Sequence, residues 1–220
     1  MEQRVRNSDW QTRPRNIGDI LMKLYWSPNS PYARKVLVVA KEMQIDDRVE
    51  LIETSVVPTK ENEVLSALNP LTRIPTLQLN TGEILFDSSL ICEFLDEFSD
   101  GGLLPEPGLA RRQVLRLELL GVDIMDRAIV CRQETLRPES YRWSGWVDAQ
   151  FDRIGKVLDT LDANVPSLNP DLGTITVGCA LEYLDFRFRE RPWRSERPQL
   201  SAWHEQFALR PSMASTKHPA

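Results

Sequence analysis

Residues 99–108 read Ser-Asp-Gly-Gly-Leu-Leu-Pro-Glu-Pro-Gly, and the pattern of apolar residues changes character across them. Upstream, short β-branched runs alternate with helical patterns. Downstream, every strong signal is helical. Glycines at 101, 102 and 108 and prolines at 105 and 107 interrupt both kinds of element, which is what a junction between units requires. The chain is therefore expected to hold an α/β domain over residues 22–100, a linker over 101–107 and an all-α domain over 108–220.

Within the first domain the spacing predicts strands over residues 21–26, 49–54, 76–79 and 84–86. Asn80-Thr81-Gly82-Glu83 is a hairpin turn between the last two. Helical periodicity predicts helices over 31–43, 61–68 and 88–98. The order β-α-β-α-β-β-α gives a mixed four-stranded sheet covered by helices. The second domain is expected to hold helices over 109–136, 139–163, 174–190 and 198–209. Residues 1–21 carry arginines and acids without an apolar core, which excludes an ordinary secretory signal. They read as a flexible extension.

The 220 residues suffice for two domains, and 41% hydrophobic with 27% charged side chains is ordinary for a globular protein. A net charge of −5 argues against nucleic acid as a partner. No apolar run reaches the roughly 20 residues of a membrane helix, so no membrane partner is expected. Cys92, Cys131 and Cys179 are odd in number and lack C-x-x-C spacing, which favours free thiols in a reducing compartment. His204 and His218 have no clustered partners, so no metal site is expected.

The residues that carry chemistry follow the first strand. Ser30 fits a helix N-cap and Pro31 the first helical position. The free N–H groups and positive end of that helix suit an anion, including a thiolate. Glutaredoxin-like proteins place Cys-Pro-Tyr-Cys here, where this chain has Ser30-Pro31-Tyr32-Ala33. Both sulfurs are missing while the scaffold is kept, so the spot is suited to a thiolate supplied by another molecule.

From Met22 onward the chain resembles the glutathione transferase superfamily, in the style of its bacterial serine-type members. Four features carry the resemblance: Ser27-Pro28-Asn29-Ser30-Pro31-Tyr32-Ala33-Arg34-Lys35-Val36; Asn69-Pro70-Leu71-Thr72-Arg73-Ile74-Pro75; Phe86-Asp87-Ser88-Ser89-Leu90-Ile91; and the helical second half. The resemblance implies a thioredoxin-like first domain. One departure stands out. The family opens a second-domain helix with an S/T-x-x-D box, whereas Thr174-Ile175-Thr176-Val177 has Val in place of Asp, so half of the box is expected to be lost.

The resemblance assigns Ser30 as the donor to the glutathione sulfur, with Ser27 and Tyr25 as alternative donors. It makes Ile74–Pro75 a cis peptide whose backbone pairs with the cysteinyl unit, and it gives Asp87 and Ser88 the γ-glutamyl end. Tyr32, Arg34 and Asp126 are candidate cleft residues. Arg34 and Lys35 read equally as a solvated face or as cations that hold a carboxylate or a domain contact. Asp126 continues the row Leu115, Leu119, Val122, Ile129, where a carboxylate needs a partner. Asp123 and Arg127 form an i,i+4 pair on a solvated face. Tyr141, Trp143 and Trp146 are expected to pack in the core or an interface, with a hydrophobic co-substrate pocket as the alternative.

What the family implies is a cytoplasmic, homodimeric transferase. It would have no tightly bound cofactor, would use glutathione as co-substrate and would take a small hydrophobic electrophile as partner. A non-catalytic glutathione-binding or adaptor role is the alternative, as is a glutathione-dependent reductase.

Overall fold

The computed structural model describes residues 21–99 and 101–219; the expected extension lies outside them save for Leu21. The first domain is a four-stranded sheet in the order β2-β1-β3-β4. Strand β1 (Met22–Trp26) pairs in parallel with β2 (Val49–Glu53) and antiparallel with β3 (Thr76–Leu79). Strand β4 (Ile84–Leu85) pairs antiparallel with β3. Period-two alternation puts Met22 and Leu24 in the core, each fully buried. They join Val36 and Val39 of helix α1 (Pro31–Glu42) and Ile91 and Leu95 of helix α3 (Ser88–Phe98) in one apolar cluster. Helix α2 (Glu63–Leu68) is a short turn anchored by Leu65 and capped by Asn62, whose Oδ1 accepts the Leu65 N–H at 3.0 Å.

The second domain holds α4 (Leu109–Leu136), α5 (Ser144–Ala163), α6 (Leu172–Arg187), α7 (Pro198–Phe207) and α8 (Pro211–Ala214). Helix α6 is its core: all ten residues from Leu172 to Leu181 are buried, as a largely apolar helix must be. It meets α4 at very close range. A Cβ on Gly121 would lie 2.8 Å from Thr176 Cγ2 and 2.9 Å from the α6 backbone, so only glycine permits the crossing.

Two helix starts differ from expectation. Helix α6 begins at Leu172, ahead of Thr174, and its cap is Asp171. Oδ1 of Asp171 accepts the Thr174 N–H at 2.7 Å, while the Thr174 hydroxyl accepts the Asp171 N–H at 2.8 Å. The reciprocal box is therefore complete, three residues upstream of the expected one, and Val177 is simply a buried helix residue. The predicted helix over 139–163 splits. Glu139–Tyr141 forms a single tight turn, and Trp143 is extended, its N–H taken by Glu134 Oε1 at 2.9 Å. Tyr141 and Trp143 are about two-thirds exposed, so neither packs in the core of this chain.

The linker is pinned to both domains. Asp96, buried at the end of α3, accepts the Leu103 N–H at 2.7 Å and the Leu104 N–H at 3.2 Å. The Leu103 carbonyl accepts the Leu172 N–H at 3.1 Å. Gly101 and Gly102 make the bend with φ of +80° and +139°, where a side chain would be strained.

Helix α1 is shared by both domains. Arg34 pairs with Glu182 of α6 and donates to the Met213 carbonyl of α8 at 3.2 Å. Lys35, fully buried, pairs with Glu118 of α4 at 3.0 Å. Glu42 takes a two-pronged bond from Arg210, at 2.8 and 2.9 Å, which holds its carboxyl below the usual range.

Candidate functional site

Sheet register gathers the site. Tyr25, near the end of β1, lies opposite Thr76, the first residue of β3, and Leu85, the last of β4, lies opposite Leu77. The chain leaving β1 (Ser27–Ser30), the chain entering β3 (Ile74–Pro75) and the chain leaving β4 (Asp87–Ser88) therefore all emerge at one end of the sheet. The Ile74–Pro75 bond is cis. The Ile74 backbone takes part in none of the turn, loop or cap hydrogen bonds between backbone groups of the described residues.

Ser30 is the N-cap of α1. Its Oγ accepts the Ala33 N–H at 3.2 Å, and the residue is 8% exposed. The hydroxyl proton is given to no described residue, so Ser30 both caps the helix and keeps a donor to offer. Ser27 shapes the turn before it: its carbonyl accepts the Ser30 N–H at 3.0 Å and its Oγ the Asn29 N–H at 3.3 Å. Tyr25 is committed elsewhere, because its hydroxyl donates to Gln78 Oε1 at 3.0 Å across the sheet. Asp87 caps α3 through the Ser89 N–H at 3.0 Å, and Ser88 is buried at the first helical position. An anion placed here would meet the positive end of α3.

Tyr32 of α1 meets Asp126 of α4, the Tyr32 hydroxyl donating to Asp126 Oδ1. Burial, reinforced by this bond and by the carboxylate's charge, holds the Tyr32 phenol well above its ordinary pKa. The row that holds Asp126 is only partly buried: Leu115, Val122 and Ile129 are half-buried, whereas Leu119 and Asp126 itself are exposed. The carboxylate on the apolar face of α4 is Glu118, between buried Val114 and Met125. Glu118 is thus the α4 carboxylate that needs a partner, and Lys35, beside the run Val36–Ala40 of α1, supplies it. Ser89 completes that contact, donating to Glu118 Oε1 at 2.7 Å and accepting from Lys35 Nζ at 3.2 Å. Arg34 is 2% exposed at the domain contact, its carboxylate being that of Glu182. Asp123 and Arg127 form the expected pair, two-pronged at 2.7 and 2.8 Å.

The three cysteines are buried and unpaired, and burial pushes the Cys92 thiol up to about 12 and those of Cys131 and Cys179 to about 11. They are inert as nucleophiles. Among the described residues no group of three metal-ligating side chains gathers, and no helix is long and apolar enough to cross a membrane.

This arrangement is that of a two-domain protein built on a thioredoxin-like sheet, with a binding end where β1, β3 and β4 meet their loops. Residues 29–97 match the model of the glutathione S-transferase N-terminal domain, and residues 144–206 that of its C-terminal domain. The chain belongs to the glutathione S-transferase superfamily. It is 31% identical to the uncharacterized GST-like protein YibF of Escherichia coli K12, over 90% of this chain and 99% of that one. A glutathione transferase family member from Pseudomonas fluorescens Pf-5, solved with bound glutathione, is 38% identical with a TM-score of 0.87, covering 90% of this chain and all of that one. A glutathione S-transferase from Methylobacillus flagellatus KT, solved with glutathione, is 33% identical with a TM-score of 0.80 at the same coverage.

Proposed function

We propose that the protein is a cytoplasmic glutathione transferase that joins the glutathione thiolate to small hydrophobic electrophiles. One observation carries the reading: the free hydroxyl proton of Ser30 lies at the positive end of α1, at the same end of the sheet as the cis Ile74–Pro75 bond and the Asp87–Ser88 helix start. The bound tripeptide would pair its cysteinyl backbone with Ile74 and set its γ-glutamyl carboxylate on the N-terminus of α3, near Ser88. Its thiol would lose a proton to solvent, and the Ser30 hydroxyl would donate to the resulting sulfur anion. That sulfur then forms a bond to the electrophilic carbon, whose leaving group departs with its electron pair. The protein supplies thiolate stabilisation and proximity. The glutathione-bound relatives support this reading. The buried, unpaired cysteines fit a reducing compartment and leave direct thiol exchange by the protein without a nucleophile.

A homodimer is part of the proposal. Leu90 of α3 and Leu109 and Leu119 of α4 are 46%, 66% and 67% exposed, an apolar surface that a second copy would cover. Sedimentation at micromolar concentration should give twice the chain mass.

The test of function is retention on immobilised glutathione together with turnover of a chlorodinitrobenzene. Retention with turnover supports a transferase. Retention without turnover of any electrophile supports the binding or adaptor role, and loss of both overturns glutathione as the ligand.

A further inference from the structure

The turn that carries Ser30 is gripped from the second domain by two side chains that the proposed chemistry does not use. His218, in the segment after α8, meets the carbonyl of Pro28 through Nδ1 at 2.9 Å. Burial lowers its pKa to about 4, so the ring is neutral at neutral pH. A carbonyl only accepts, so the ring's single proton sits on Nδ1. The ring is stacked on Phe186 of α6, with centroids 4.7 Å apart and planes 6° from parallel. Arg187, next along α6, donates from Nη2 to Asn29 Oδ1 at 2.7 Å, and its guanidinium lies 3.9 Å from the Phe186 ring centroid. Phe186 is thus a shared platform that fixes both donors. The turn needs such holds, because Ser27 and Pro28 border a cavity of about 310 Å³ that also touches Trp26, Leu37 and Lys217. Side-chain packing does not fill that space, so hydrogen bonds must set where the turn sits.

We infer that His218 and Arg187 are positioning residues for Ser30, holding the Pro28 carbonyl and the Asn29 side chain so that the serine hydroxyl stays aimed at the site. The inference rests on the reading of Ser30 as the donor to the glutathione sulfur. Neither residue touches the reacting atoms. Their effect passes through the Ser27–Ser30 hydrogen bond, which closes the turn.

The experiment uses the full chain with His218→Phe, which keeps a ring on Phe186 but removes the donor, and His218→Asn, whose amide N–H replaces Nδ1. Two quantities are read: deuterium uptake of the peptide over residues 27–33, and the pKa of bound glutathione from thiolate ultraviolet absorbance. The expected result for His218→Phe is faster uptake and a thiol pKa higher by about one unit, a factor of about ten in thiolate below both values. His218→Asn should recover most of both, which a loss of packing alone would not do. Unchanged uptake in His218→Phe overturns the grip. Faster uptake with an unchanged thiol pKa overturns the positioning role while leaving the grip. If wild-type protein shows no bound thiolate, while Ser30→Ala and wild type retain glutathione equally, the reading of Ser30 fails and the positioning role fails with it, whatever the uptake shows.

Discussion

The hydroxyl of Tyr32, in the first turn of α1, donates to Oδ1 of Asp126 on α4, tying the head of α1 to the second domain. Asp126 is exposed, so the bond competes with water and its net worth is modest. A double-mutant cycle with Tyr32→Phe and Asp126→Ala, followed by urea unfolding, should give a coupling energy of about 1 kcal/mol. Asp126→Asn keeps an acceptor and should cost less than Asp126→Ala. A coupling near zero would mean that the two side chains meet without holding the domains together.

Ser30 is expected to have two separable roles. Ser30→Ala removes both cap and donor, so stability should fall by about 1 kcal/mol and turnover by roughly a hundredfold. Ser30→Asp keeps a capping oxygen at a helix N-terminus but has no proton to donate at neutral pH. It should unfold close to wild type in denaturant while turning over as poorly as the alanine variant. If Ser30→Asp retains activity, the serine is a cap and no more.

Lys35, Ser89 and Glu118 bring three elements together at a point with almost no water. Removing one charge strands the other, so Lys35→Met should cost about 3–5 kcal/mol. Adding Glu118→Leu to Lys35→Met removes the stranded carboxylate, and the double variant should be more stable than Lys35→Met alone. Equilibrium denaturation of the three proteins decides this. A double variant less stable than both single ones would show that packing, rather than charge, dominates at the contact.

Stability should fall on mild acidification. Burial, with Arg194, Arg34 and Lys217 nearby, depresses the His204 pKa to about 3. The unfolded residue binds its proton near 6.5, so between those values the unfolded state holds more protons than the folded one. The unfolding free energy should therefore rise with pH across this window and drop as the pH falls below about 6.5. His204→Gln should flatten the slope measured by urea titration between pH 6.5 and 4. An identical slope would place the proton uptake on other groups.

The mixed sheet, the order of its elements along the chain and the helical second half were legible because each rests on local periodicity and turn chemistry. The ends of β3, α3 and α4 fall where the sequence places them. Less legible were features set by contacts distant in sequence. Thr174 resembles a helix cap in isolation, yet Asp171 outcompetes it because its carboxylate and the Thr174 hydroxyl satisfy each other's backbone N–H. Arg34 and Lys35 read equally well as surface charge until Glu182 and Glu118 are brought against them. The grip of Asp96 on Leu103 and Leu104 depends on a bend made by two glycines. Ser30, Ile74–Pro75 and Asp87–Ser88 could be named from motifs, but their convergence is a property of register. His218 carried no signal, since a histidine 190 positions from Pro28 shows nothing in sequence of where it will sit.

Helix α1 places two cations, Arg34 and Lys35, where only carboxylates of the second domain can neutralise them. On a growing chain that helix leaves the ribosome well before Glu118 and long before Glu182. Until those acids arrive, both cations must stay hydrated, and the face of α1 that carries them cannot dry out. The nascent first domain is thereby kept from committing to its final packing. Both pairs can form only once α6 has been made, so this face of α1 takes its final contacts after the sheet is complete in sequence.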